Sequence, residues 1–487
     1  MLKTIRHYRR ELWTMIFLKI LLSYSYFCLS SRLVVYLSED HGFTDIEAAD
    51  LYGVWGVSMS LIQFAAGPVI DRLQIRRSII LGSLINTVGM FMLAATFNMN
   101  WLLVVALVVV MPVGAALGLA VVDIGGKRYS PDGNGSMYLS LALLYSASNF
   151  GASMTGATVE FLQDKFGEEG VQYGKYHATA DRILILVAAI ATAIAGLIAA
   201  LIVNDEVQTQ RQLEMSNVTL AGTVPTTGGR VHYVNEDDDN DAERAEPVGA
   251  DRTRWFWRCR VAWLWITTDV IPVLRNSYFQ RLFLMSAVTI GVKLVYRSID
   301  ATFPKVIMRT FGADSHVGAL YSINPTMIIF IVPPIAAFIT RFDIYNVIIV
   351  GTLISACSMF IMAGELTLLT VILWSVVFTI GEAIYSNTLG VYFMAIAPDG
   401  REGLYTSLAY APNLLAKVIV GPMSGSLLAN YCPKEGPFDE CRKVFLNVGL
   451  YALSTPALLL LFYRVIHNDS MRVRVRERLN DQGLATD

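Results

Sequence analysis

Polar and apolar positions sort into long blocks along this chain. Apolar runs cover residues 13–37, 51–70, 78–97, 100–122, 136–160 and 181–203, then 280–303, 316–340, 345–364, 367–396, 403–428 and 444–465. A helix needs about 20 apolar residues to cross the hydrocarbon of a bilayer. It also satisfies its own backbone hydrogen bonds, which lipid cannot do. The pattern predicts an all-α membrane protein of twelve transmembrane helices, six on each side of a polar stretch. Residues 1–203 are expected to form a first six-helix bundle, 204–278 a cytoplasmic linker, 279–466 a second bundle and 467–487 a cytoplasmic tail.

Composition supports this reading. Charged residues make up 16% of the chain and hydrophobic residues 54%, whereas a soluble domain carries about 25% charge. The net charge of −2 offers no bulk attraction for nucleic acid. The basic N-terminus has no small-residue cleavage site after it and reads as the start of a retained helix.

Orientation follows from the basic residues in short loops. Lys3, Arg6, Arg9 and Arg10 precede helix 1. Arg72, Arg76 and Arg77 lie between helices 2 and 3, and Lys127 and Arg128 between 4 and 5. Arg472, Arg474, Arg476 and Arg478 lie in the tail. The loop between helices 1 and 2 holds Glu39, Asp40, Asp45 and Glu47 and no Lys or Arg. Both termini are therefore expected in the cytoplasm. The loop from Cys432 to Cys441 then falls outside or in a lumen. Facing an oxidising compartment, this pair forms a disulfide; otherwise it stays as two thiols.

The polar middle has two parts. Residues 204–253 include Glu236-Asp237-Asp238-Asp239-Asn240-Asp241 and too few aliphatics to build a core. They read as a solvated linker or a regulatory interaction site. Residues 252–265 interleave Arg with Trp, which suits an interfacial helix against lipid headgroups or an extension of helix 7.

Between helices 2 and 3 stands Gly67-Pro-Val-Ile-Asp71-Arg72-Leu-Gln-Ile-Arg76-Arg77. With six-plus-six helices, this resembles the loop signature of the major facilitator superfamily. Four further segments resemble its proton-dependent oligopeptide transporter branch. They are Arg32-Leu-Val-Val-Tyr36-Leu37, the stretch Gly42 to Gly53, Tyr321-Ser322-Ile323-Asn324-Pro325, and Gly381-Glu382-Ala383. The resemblance implies a major facilitator fold and a transporter, not an enzyme. It also implies that Glu382 sits where a carboxylate meets the amino end of a substrate. This chain departs from the branch in helix 1. Where the branch carries Glu-x-x-Glu-Arg, here stand Lys19, Leu22 and Ser23, so proton coupling through helix 1 does not carry over.

Charges inside a membrane are costly and usually face a cavity or one another. Lys293, Arg297 and Asp300 share one face of helix 7. Arg297 and Asp300 pair locally in this reading, with Asp300 no more than a local partner. Lys293 then meets Glu382 as a fixed gate pair, or leaves both charges to a zwitterionic substrate. Arg32 either snorkels outward or lines the cavity. Asp123 is expected to pair with Lys127 at i, i+4, and Lys417 lines the cavity or pairs across helices. Tyr26, Tyr385 and Asn387 offer neutral hydrogen bonds or plain packing. The Gly114–Gly118 and Gly421–Gly425 stretches permit close helix crossings.

No nucleotide-binding loop, cofactor motif or metal-spaced histidine pattern is visible. The expected function is secondary active or facilitative transport of a small polar or zwitterionic solute, peptide- or amino-acid-like, by alternating access. Protons are the candidate coupling ion, as in symport, and membrane lipids are the other partner. The alternative is a transport-dead sensor or scaffold on the same fold. Plasma and endolysosomal membranes are both open.

Overall fold

The computed structural model describes residues 10–96, 100–129, 136–166, 170–173, 176–203, 271–312, 315–339, 342–396 and 416–468, with 471 and 473. The acidic linker, the Arg/Trp stretch and the basic residues of the N-terminus before Arg10 lie outside the described residues. So do the side chains of Asp71, Arg72 and Lys127.

The chain divides into two units, residues 1–204 with 281–487, and residues 205–280. Helices occupy all or part of each of the twelve predicted runs. The first half contains α1 (Arg10–Glu39) and α2 (Asp45–Ala94). The fourth run is built from α3 (Asn100–Val105), a π-helical turn, α4 (Met111–Leu117) and α5 (Leu119–Arg128). α6 (Ser136–Phe166) and α7 (Ala180–Ile202) complete this half. In α2 the second and third runs join through Gln74, whose φ of 61° breaks the helix. Just after it, Arg76 donates to the Ala200 carbonyl at 2.6 Å, satisfying a carbonyl in the last turn of α7.

α8 (Ile271–Arg275) falls in the smaller unit, and the second half contains α9 (Ser277–Val288), α10 (Ile290–Ala301) and α11 (Phe303–Phe311). It continues with α12 (Val317–Ile339), α13 (Ile344–Gly364), α14 (Leu368–Ile396), α15 (Ala416–Tyr431), α16 (Arg442–Leu461) and α17 (Tyr463–Ile466). Seven described helices are long and apolar enough to cross a membrane, and α9 with α10 makes an eighth, bent by 44°. Two short elements depart from the all-α expectation. Strands β1 (Val171–Tyr173) and β2 (Tyr176–Ala178) pair antiparallel in the polar loop before α7.

Local chemistry sets the helix ends near the site. Thr44 and Glu47 form a capping box that starts α2, with the Thr44 N–H donating to Glu47 at 2.9 Å. The bend between α9 and α10 has a specific cause. Thr455 of α16 donates to the Val288 carbonyl and accepts from the Val292 N–H, both at 2.9 Å. A side chain inserted into the helical ladder opens it at that point.

Where α15 crosses α2, backbones touch. A Cβ on Gly421 would lie 2.6 Å from the Ala49 carbonyl, and one on Gly425 2.8 Å from the Ile46 Cα. Only glycine permits this approach, as the sequence pattern anticipated. Cys432 and Cys441 are joined by a disulfide at the far end of α15.

Buried ion pairs tie the helices at the same end. Arg182 binds Asp40 at 2.9 Å and donates to the Ala94 and Thr96 carbonyls. Beside it, His41 lies 3.0 Å from the Tyr36 hydroxyl. Burial, reinforced by Arg182, pushes the His41 imidazole from 6.5 down to about 4. Between these values the unfolded chain binds a proton that the folded chain refuses, so stability falls as pH drops across that window. His41→Gln is expected to flatten this loss, read as the change in Tm between about pH 7 and about pH 4.

Candidate functional site

Three clusters of charge sit where the two halves meet, and most of their members come from different helices. The first centres on Asp300 of α10, 2% exposed. Its carboxylate accepts from Ser30 at 2.7 Å, Tyr321 at 3.1 Å and Tyr52 at 3.3 Å, and lies 3.7 Å from Arg297. The local Arg297–Asp300 contact exists. The expectation that Asp300 is no more than a local partner does not hold. It joins α1, α2, α10 and α12, because three hydroxyls distant in sequence converge on one buried anion.

The second cluster surrounds Tyr26 of α1. Its hydroxyl accepts from Lys417 Nζ at 2.8 Å and from Arg297 at 3.3 Å. Lys417 enters from α15 and stands over aromatic faces. Its Nζ is 4.0 Å from the Trp55 ring centre, 5.1 Å from that of Tyr26 and 5.3 Å from that of Tyr52. A desolvated cation over an indole is held by about 2 kcal/mol or more. Of the two sequence readings for Lys417, pairing across helices describes it, with aromatic rings and a hydroxyl as its partners. Gly56 makes room, since a Cβ there would lie 2.3 Å from the Lys417 side chain.

The third cluster holds Glu382 of α14, 3% exposed. Asn324 donates to it at 2.9 Å, and Tyr145 of α6 donates at 3.2 Å. Lys293 stands just beyond the bend between α9 and α10. Its Nζ lies 5.3 Å from the Tyr385 ring centre. No carboxylate oxygen of a described residue lies within 4.0 Å of that Nζ. A fixed Lys293–Glu382 ion pair is therefore not formed. The Tyr385 hydroxyl is buried and has no hydrogen-bond partner among the described residues. Asn387, five residues beyond Glu382, comes round to another side of α14 and is half-buried.

One sequence reading, the outward snorkelling of Arg32, needs correction. Arg32 does not snorkel outward but is buried. It makes a two-pronged pair with Asp181, at 2.7 and 3.0 Å, both residues buried. The planar guanidinium matches a carboxylate in this way, and it locks α1 to α7. Asp123 pairs at 2.8 Å with Lys19 of α1, across helices, and the side chain of its expected partner Lys127 lies outside the described residues. Tyr24 binds Thr158 at 3.0 Å and packs α1 on α6. Sequence reasoning missed Tyr145, Trp55 and Tyr52. Their signal was present only as aromatics in apolar runs, which mostly pack.

A small, largely apolar cleft of about 20 Å³ lies in the first half and reaches the second cluster at Tyr26 and Trp55. At the end of the helices that carries Asp40, further pairs join the halves. Asp45 binds Lys305 at 2.5 Å and Arg309 at 2.8 Å, and Glu39 binds Lys434 at 3.0 Å.

The Major Facilitator Superfamily profile matches residues 15–299. A search of curated proteins returns no match. Solved structures share the fold. One comes from work on substrate recognition in proton dependent oligopeptide transporters, with a TM-score of 0.67, 15% identity, and 96% of this chain and 99% of that one covered. Another is a POT family transporter in complex with 5-aminolevulinic acid, with a TM-score of 0.63, 15% identity, and coverage of 94% and 97%. A third is a peptide transporter in complex with sulfate, with a TM-score of 0.64, 16% identity, and coverage of 94% and 95%.

Proposed function

We propose a solute and a mechanism on a plain premise: the chain belongs to the major facilitator superfamily. It is an integral membrane transporter, not an enzyme. In our reading it carries a small polar or zwitterionic solute, peptide- or amino-acid-like, by secondary active or facilitative transport. One observation carries this reading. Lys293 is an intramembrane cation with no described carboxylate within 4.0 Å, and Glu382 is a buried carboxylate already held by neutral donors. A solute's carboxylate compensates Lys293, and its ammonium meets Glu382. The buried Tyr385 hydroxyl supplies a further donor. The same two charges occur in 5-aminolevulinic acid, the ligand named for one structural neighbour.

The mechanism follows from where Glu382 is tied. Tyr145 belongs to the first half and Glu382 to the second, so their bond crosses the interface that must rearrange. A solute competing for Glu382 weakens one link between the halves, and the two rock around it. By the basic-loop rule the end bearing Asp45 and the disulfide faces outward or into a lumen. This conformation is then closed there by the Asp45 and Glu39 pairs. An oxidising compartment agrees with the disulfide.

The test is ligand-induced stabilisation. Amino acids and short peptides are expected to raise the Tm of purified protein, with N-acetylated and amidated analogues weaker. Lys293→Met is expected to remove at least about tenfold in apparent affinity, since hydrogen bonds to charged groups contribute about 1.5–3 kcal/mol. Equal responses from charged and blocked analogues, or from wild type and Lys293→Met, would sink this assignment.

A further inference from the structure

Where the last turns of α6 meet the start of α12, two carboxylates and an imidazole converge. Glu160 and Asp164 are one turn apart on α6 and share a face. His316 directly precedes α12. One ligand atom from each of the three lies within 4.8 Å of the other two. We propose that this cluster binds a divalent transition-metal ion of the zinc class, and that the ion clamps the two halves of the chain together at this end.

The fold builds the cluster from both halves. A Cβ on Gly156 would come 1.9 Å from Ser322 Oγ, and one on Gly318 2.3 Å from the Gly156 carbonyl. Glycine at both positions lets α6 and α12 approach until backbones touch. Ser153 and Thr326 hydroxyls meet at 2.5 Å, and Ser322 donates to the Ser153 carbonyl at 3.1 Å. This seam fixes Glu160 over the first turn of α12, where its Oε2 accepts from the Ala319 N–H at 3.1 Å. Such a bond orients a metal-ligating carboxylate. His316 has φ of 51°, a left-handed conformation uncommon outside glycine. That backbone brings its Nδ1 into direct contact with Glu160 Oε1.

The donor set selects the metal. An imidazole nitrogen with carboxylate oxygens suits zinc and its neighbours, while calcium and magnesium prefer oxygen throughout. His316 is exposed, so an ion reaches the cluster from solution. The expectation of no metal site rested on histidine spacing along the chain. Spacing is silent here because the ligands come from helices in opposite halves.

The experiment uses the full chain in detergent, titrated with ZnCl2 and followed by calorimetry and thermal unfolding. Zn2+ is expected to bind and raise Tm, with Mg2+ and Ca2+ without effect. His316→Ala and Asp164→Asn, both at exposed positions, are each expected to weaken Zn2+ binding at least about tenfold. Zn2+ is also expected to slow hydrogen exchange in both 157–164 and 317–322. Absence of Zn2+ binding, or equal binding by wild type and both variants, overturns the site. Slowed exchange in only one of the two segments overturns the clamp.

Discussion

Glu382→Gln is expected to cut solute uptake by about tenfold to a hundredfold, the equivalent of losing one charge-assisted hydrogen bond. The carboxylate is buried, and its two neutral donors, Asn324 and Tyr145, leave its charge free to meet an incoming ammonium. Glutamine keeps the shape and removes the charge, so the fold is expected to persist while the solute's amino end loses its partner. Should Glu382 also carry the coupled proton, the variant will lose the pH dependence of uptake. Initial rates in proteoliposomes at several values of pH check this. Uptake within twofold of wild type, with an unchanged pH profile, removes Glu382 from the site.

The largest effect on stability is expected at Asp300. Asp300→Ala strips the buried anion from Arg297 and leaves the Ser30, Tyr52 and Tyr321 hydroxyls without their acceptor. Removing one member of a buried ion pair costs about 3–5 kcal/mol, chiefly because the other charge stays buried and uncompensated. A large fall in Tm of the detergent-solubilised protein is the readout. A double variant, Asp300→Asn with Arg297→Gln, is expected to recover much of the loss, because it removes both charges and keeps polar groups in place. Equal damage from the single and double variants would mean that Asp300 acts through packing alone.

The helices were legible because a bilayer imposes long apolar blocks, and blocks survive in one dimension. The bend before Lys293 was not legible. Its cause is the hydroxyl of Thr455, which reaches in from α16. Charges in the apolar runs were visible one by one, since each is expensive there, but their partners were not. Asp123 was matched to Lys127 by helical spacing, and the fold brings it Lys19 from another helix, which spacing could not show. Arg32 found Asp181, and Lys417 found the rings of Trp55, Tyr26 and Tyr52. Partners of this kind depend on which helices touch, and a pattern along one helix carries no record of its neighbours. Glycine pairs came closest to such a record. Gly421 and Gly425 marked a crossing that the fold contains, because close approach has a sequence requirement of its own.

Uptake of labelled di- and tripeptides into proteoliposomes, with and without an inward proton gradient, tests the central claim most directly. The account predicts saturable uptake of a zwitterionic solute that falls with Glu382→Gln and with Lys293→Met. Gradient stimulation would add proton coupling. Folded protein that moves no such solute under either condition would contradict the account and leave a sensor or scaffold built on a transporter's fold.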